Sequence, residues 1–275
     1  MSCKRIVSLT PSITETIFSL GAGELVVGVT DACDYPAEVN SKPHICSWFD
    51  PDIDRLKNLN PDLVLGLKTA HERLMPVFIN RKIHCELFNP ITVQDVLADI
   101  LRLGGLLGAA EAARSQVGEL LNRLVDLDKS VQLIPPGQRL TVTRALDIEE
   151  DELILAGPQS FQYDVIARAG GINVTSCINA AYPKVTFQQF QKWNADMIFI
   201  CGSDDSYLSR LKENPGWKSL RAVSNNRLYQ FDCGLTCRTS PRIVDMAELL
   251  FQILYGAKAQ RRKGAKAQRR KGAKA

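Results

Sequence analysis

Apolar and polar positions alternate along this chain in two blocks of the same kind. Lys4 to Leu9, with its apolar run from Ile6 to Leu9, reads as a short buried strand. Thr10-Pro11 then opens a helix, since proline is favoured at the first helical position, and Ser12 with Glu15 offers an alternative capping box. Gly21 and Gly23 end it. Strands are predicted over Leu25–Val29, Leu63–Leu67 and His84–Phe88, with helices over Asp52–Leu59 and His71–Asn80 between them. Strand alternating with helix predicts a mostly parallel sheet covered by helices.

A long helical stretch follows, about Val93 to Ser130, with apolar faces that include Leu97, Ile100, Leu101, Leu120, Leu124 and Leu127. Gly104-Gly105 and Gly108 are candidate interruptions, and Pro135-Pro136-Gly137 stops it. The alternation then restarts. Strands are predicted over Leu140–Leu146, Leu153–Ala156, Met197–Cys201 and Leu228–Phe231, and helices over Phe161–Ala169, Phe187–Trp193 and Pro241–Tyr255. The halves also echo each other locally. Asn60-Pro61-Asp62 and Asn194-Ala195-Asp196 each stand between a predicted helix and a predicted strand. The expected fold is therefore α/β, with two Rossmann-like lobes joined by one long backbone helix and a ligand cleft between them. The expected boundaries are 1–92, a bridging helix at 93–133, 134–256, and a disordered basic tail at 257–275.

That tail changes the reading of charge. It repeats AKAQRRKG and holds nine of the 34 basic residues; without it 25 basic residues face 30 acidic ones, a body of net charge −5. The body makes no case for nucleic-acid binding. The tail cannot bury a core and reads as an expression or fusion remnant, the rival reading being a basic arm for anionic surfaces. No run is apolar and long enough to span a bilayer. The compartment reads as periplasmic if a leader has been removed, and as cytoplasmic if the chain starts at Met1. Eight scattered cysteines without a CxxC suit reduced thiols better than a disulfide framework.

Catalytic motifs are missing from the sequence: no P-loop, GxSxG, HExxH or complete GxGxxG occurs. The three histidines are His44, His71 and His84; the first two fall at loop or helix-start positions that could hold a ligand. Cys233 and Cys237 could hold a metal with Cys33 or Cys46, although one loose pair does not define a site, and no metal ligand or catalytic residue is assigned. Aromatic residues in predicted loops carry more weight: Tyr35, Trp48, Phe49 and Tyr182, with Arg238 in the loop after the last strand. Aromatic faces suit a large flat ligand and an arginine suits its polar edges.

Several segments then carry a family resemblance. Arg5 to Glu15 (RIVSLTPSITE), Val27-Gly28-Val29 with Asp34-Tyr35-Pro36, Leu59 to Val64 (LNPDLV), Ala169 to Val174 (AGGINV) and Ser240-Pro241-Arg242 resemble the cobalamin-binding proteins of ABC importers, over residues 4 to about 256. Haem and iron–siderophore binders share this frame. The resemblance implies a corrinoid, cobalamin or a precursor, held edge-on between two lobes by a monomeric binding protein that needs no cofactor and performs no catalysis. Tyr35, Trp48 and Tyr182 then look like the family's aromatic contacts, Tyr182 standing where a Trp is usual, and Arg238 looks like the polar contact from the second lobe. Glu72 matches a surface acid that docks on the importer's permease; the corresponding position of the second lobe is Gln188, which lacks the charge. Cys33-Asp34-Tyr35-Pro36 is similar to a segment of signal-less relatives that resemble cytosolic corrinoid binders. The rivals are the same scaffold binding haem, an iron–siderophore or an oxyanion, and, from another class, a metalloprotein or enzyme built on Cys33, Cys46, Cys233 and Cys237.

Overall fold

The computed structural model describes residues 4–149 and 151–256, so Cys3 and the 257–275 tail lie outside the described residues. Among the described residues the chain divides into two compact units: 4–121 with Arg238–Pro241, and 122–237 with 242–256.

In the first unit β1 (Ile6–Ser8) leads into α1 (Pro11–Ser19). Thr10 caps this helix by accepting from the Ile13 amide, so the cap lies at Thr10 and not at the Ser12–Glu15 box. β2 (Val26–Val29), α2 (Ile53–Asn58) and β3 (Leu63–Leu67) follow. The helix expected over 71–80 is broken. A short α3 (Lys68–His71) and a 3-10 turn precede α4 (Met75–Asn80), and Pro76 stands in the first turn of α4. A proline has no amide hydrogen to bond back to the preceding turn, so a helix can begin at Pro76 but does not run through it unbroken. β4 (Cys85–Phe88) completes a parallel sheet ordered β2-β1-β3-β4. Val7, Leu9, Ile45, Leu56, Val64, Leu74 and Phe78 form a core on this sheet.

The helical stretch is two helices, α5 (Val93–Leu107) and α6 (Ala110–Gln132). Gly108 separates them at φ 73°, a left-handed conformation that costs glycine nothing and ends α5. Thr92 and Asp95 cap α5 reciprocally. The division between units falls inside α6, after Leu121.

In the second unit β5 (Thr141–Ile148) and β6 (Glu152–Leu155) pair antiparallel. The three residues between them are too few for a parallel crossover. After α7 (Phe161–Arg168) come β7 (Ile172–Asn173), β8 (Lys184–Thr186), α8 (Phe187–Trp193), β9 (Met197–Cys201), α9 (Asp205–Glu213), α10 (Pro215–Lys218), α11 (Arg221–Ser224), β10 (Leu228–Phe231) and α12 (Cys233–Thr236), then α13 at 243–256. The sheet order is β10-β9-β5-β6-β8, with β7 also on β5. It is parallel on the β10 side and antiparallel on the β8 side, a mixed sheet where a mostly parallel one was expected. Leu153, Leu155, Phe190, Ile198, Ile200, Trp217 and Leu228 are among its core residues.

The two Asn-x-Asp segments take the same local form. Asn60 and Asn194 both adopt left-handed φ, 45° and 46°, which ends the helix before them. Asp62 Oδ2 accepts from the Lys4 and Arg5 amides at 2.8 and 3.0 Å, and Asp196 Oδ2 from the Thr141 amide at 2.9 Å. Each Asp thus fastens the entry of its unit's central strand, β1 or β5, beside the strand that it begins.

Candidate functional site

In a parallel sheet the loops after the carboxyl ends of the strands are where ligands are bound. In the first unit these loops carry most of the singled-out residues. Tyr35 lies in the loop after β2 and is 48% exposed. That loop is seated on buried polar groups at the end of β1: Thr14 Oγ1 lies 2.8 Å from Ser8 Oγ and 3.2 Å from Cys33 Sγ, and Thr30 Oγ1 lies 3.4 Å from Cys33 Sγ. Burial pushes the Cys33 thiol above its ordinary pKa, so this cysteine is a neutral packing group.

Trp48 and Phe49 form a pair, ring centroids 4.5 Å apart and tilted by 33°, with Phe49 56% exposed. Two side chains from the segment after β3 hold them. His71 is fully buried, and its Nε2 lies 2.9 Å from the Trp48 carbonyl oxygen. A carbonyl can only accept, so Nε2 carries the hydrogen, and Nδ1 accepts from the Leu67 amide at 3.1 Å. Gly66 makes room for this ring, since a Cβ there would come within 2.9 Å of His71 Nδ1. Burial lowers the His71 pKa, in keeping with a neutral imidazole. Both nitrogens are committed, so His71 is a clamp on the Trp48 loop and not a ligand-binding histidine. Arg73 donates to the Phe49 carbonyl and lies 3.6 Å from Asp50. The Trp48 Nε1 atom is buried and has no hydrogen-bond partner among the described residues. His44 Nδ1 lies 3.2 Å from Asp31, so this histidine is paired locally.

Arg238 is expected above on the second lobe, yet Arg238–Pro241 groups with the first unit. The reason is an ionic cluster. The Arg238 guanidinium lies 2.5 Å from Asp34 Oδ1 and 3.6 Å from Glu15 Oε2, and Ser240 Oγ donates to Glu15 Oε1 at 2.8 Å. Arg238 and Glu15 are nearly buried, at 9% and 3%. Glu15 stands in α1 as the one acid among apolar and hydroxyl side chains, a signal in the sequence that it needs a cationic partner.

In the second unit Tyr182 is 43% exposed in the loop between β7 and β8, and its OH lies 3.4 Å from Gln162 Oε1. Backbone bonds fasten this loop to the end of β6: Leu155 N to Pro183 O at 3.0 Å and Gly157 N to Ala181 O at 2.8 Å. Burial raises the Tyr182 pKa and the Arg144 charge opposes that shift. Glu72 and Gln188 are both exposed; Glu72 lies 3.5 Å from Lys68, one turn back.

Sequence reasoning missed one constellation. Cys233 and Cys237 are joined by Cys201, at the end of β9, and not by Cys33 or Cys46 of the first unit; the three Sγ atoms lie within 4.8 Å of one another. Arg144, 2% exposed, donates to the Cys201 and Cys237 sulfurs at 3.2 and 3.1 Å. The Cys237 thiol, donating at 3.3 Å, and then Arg144 hold the Cys201 thiol down at about 5 against its burial, while the Cys237 pKa is pushed up. None of the described cysteines forms a disulfide.

Across residues 6–233 the sequence matches the family model for a periplasmic binding protein. The chain belongs to the periplasmic binding protein family. It is 28% identical over 92% of its length to an ABC transporter substrate-binding lipoprotein of Bacillus subtilis, covering 80% of that protein. It is 24% identical over 91% of its length to a vitamin B12-binding protein of Photorhabdus laumondii, covering 87% of it. Its fold matches a periplasmic heme-binding protein of Pseudomonas aeruginosa with a TM-score of 0.82, at 20% identity over 92% of this chain and 93% of that one. Membership makes the chain a substrate-binding protein of the ABC importer type, and no helix among the described residues is long and apolar enough to cross a membrane.

Proposed function

We propose that the chain binds a corrinoid, cobalamin or a precursor, as the substrate-binding component of an ABC importer or as a carrier that holds the ligand, and that it is not an enzyme. The observation that carries this reading is the set of aromatic side chains on ligand-side loops: Trp48 packed on an exposed Phe49, with Tyr35 in the first unit and Tyr182 in the second. Exposed aromatics cost solvation unless a ligand covers them, and a macrocycle ringed by amides offers both apolar area and polar edges. The B12-binding relative, aligned over nine-tenths of this chain, supports the same ligand class.

Arg238 enters this proposal as a positioning residue. Its ion pair holds Asp34 beside Tyr35, and any guanidinium contact with ligand would be additional. Glu72 and Gln188 are proposed as permease-docking positions, so Glu72→Ala should leave ligand affinity unchanged. A second reading, haem on the same aromatic surface, draws on the heme-binding fold neighbour. Calorimetric titration of the purified chain with cyanocobalamin and, separately, with haemin decides between them. Saturable binding of one cobalamin per chain with haemin much weaker is expected; preference for haemin, or binding of neither, would reject the corrinoid assignment.

A further inference from the structure

Three thiols of the second unit meet at a place that the corrinoid reading does not use. Cys233 opens the single turn of α12 and Cys237 caps it four positions on, so their side chains share one side of that turn. The parallel pairing of β9 with β10 sets Cys201 opposite Phe231, two residues before Cys233, and so delivers α12 to the carboxyl end of β9. The Sγ atoms of Cys201 and Cys237 are 3.3 Å apart, and all three lie within 4.8 Å of one another. Cys233 and Cys237 are exposed, so the cluster opens to solvent.

Beneath it lies Arg144, whose environment is unusual. Its Nη2 donates to the sulfurs of Cys201 and Cys237, while its buried Nε and Nη1 have no partner among the described residues. A buried guanidinium without a carboxylate is costly unless negative charge gathers beside it.

We propose that Cys201, Cys233 and Cys237 bind one thiophilic divalent metal ion, of the Zn2+ or Cd2+ class, as three thiolates. Metal–sulfur bonds of about 2.3 Å place sulfurs roughly 3.8–4.0 Å apart around one ion. The observed spacings, from 3.3 Å to no more than 4.8 Å, bracket that value, so side-chain adjustments of under about 1 Å complete the site. Charge favours a divalent ion: three thiolates and one such ion carry a net −1, which Arg144 cancels. Each thiol that is still protonated yields its proton to solvent as its sulfur bonds to the metal, and the open side leaves a fourth position for water or another donor. The proposal stands whether or not a corrinoid binds.

The test is a titration of the reduced full chain with Cd2+ under inert gas, read by the thiolate-to-cadmium charge-transfer band in the ultraviolet. One equivalent should saturate the band, and Zn2+ should compete for the site. Cys201→Ser, Cys233→Ser and Cys237→Ser should each weaken binding by at least about 100-fold, the upper end of what loss of even a second-shell partner costs. Cys177→Ser, at an exposed thiol outside the cluster, should leave it unchanged. Absence of the band at one equivalent, or equally tight Cd2+ binding by the triple serine variant, would overturn the proposal. Circular dichroism of each variant shows that the fold is kept, and Cys233→Ser, at an exposed position, decides the matter if a more buried variant misfolds.

Discussion

Removing the Arg238 side chain should cost the first unit a large part of its stability, and the reason is Glu15. That carboxylate is 3% exposed on α1, with the Arg238 guanidinium 3.6 Å away and the Ser240 hydroxyl 2.8 Å away. In Arg238→Ala the serine bond remains and the guanidinium charge beside Glu15 is removed. A buried charge stripped of its partner costs about 3–5 kcal/mol, whereas the more exposed Asp34 arm adds no more than about 1 kcal/mol. With a urea dependence of about 3 kcal/mol per molar, the unfolding midpoint should fall by roughly 1–2 M. Urea titration followed by far-ultraviolet circular dichroism reads this directly. A companion variant isolates the cause: Glu15→Gln in the Arg238→Ala background keeps an acceptor for Ser240, deletes the buried carboxylate charge, and should recover at least half of the loss. If Arg238→Ala loses less than about 1 kcal/mol, or Glu15→Gln restores nothing, the guanidinium is not there to neutralise Glu15. Unchanged stability with weakened ligand binding would instead make Arg238 a direct ligand contact.

Trp48→Ala should weaken corrinoid binding by roughly 30-fold or more, since a buried aromatic anchor contributes on the order of 2–4 kcal/mol; affinity equal to the parent's in calorimetry would place the indole outside the ligand surface. His71 has a lowered pKa in the folded chain, so the unfolded chain takes up the proton first. Its contribution to stability is therefore complete above the ordinary value of 6.5 and declines as pH falls below it; His71→Gln should lose that part of the acid slope in pH-dependent urea melts, and an unchanged slope would reject the clamp. Asp99, on α5, shows the opposite sign: burial pushes its carboxyl from 3.8 up to about 6, so the stability tied to its protonated form is full below 3.8 and lost as pH rises through about 6. Asp99→Asn should stabilise the chain by about 1–2 kcal/mol at pH 8, discounted for partial exposure, and by almost nothing near pH 4; equal gains at both pH values would show that ionisation is not the cause.

Most elements were legible because their signals are local. Buried runs such as Leu63–Leu67 and Met197–Cys201, and the opening of α1 at Thr10-Pro11, are set by residues within a few positions of one another. What was not legible depends on partners far along the chain. The break before α4 coincides with Pro76, inside a stretch expected as one helix. The antiparallel β6 and β8 differ from parallel strands only in connection length, and β8 is just three residues long. Arg238 sits 223 positions after Glu15, and no spacing rule links them.

The two buried arginines show how far residue type alone can carry a reading of the site. Arg238 falls in a loop, the place where a ligand contact is expected, and the structure gives it two carboxylates and a role inside one unit. Arg144 falls in the run Val142 to Leu146, where a charge is out of place, and among the described residues its partners are sulfurs with no carboxylate. A guanidinium keeps its charge under all ordinary conditions, so the difference must be made up by its neighbours. At Arg238 the neighbours are already ionic and the account closes within the fold. At Arg144 it closes only if the thiols carry negative charge, and a thiolate cluster held beside a fixed cation at the open end of a parallel strand pair is chemically a ligand site. The informative arginine is therefore the one in the strand, where the pattern of hydrophobic positions is broken without local cause.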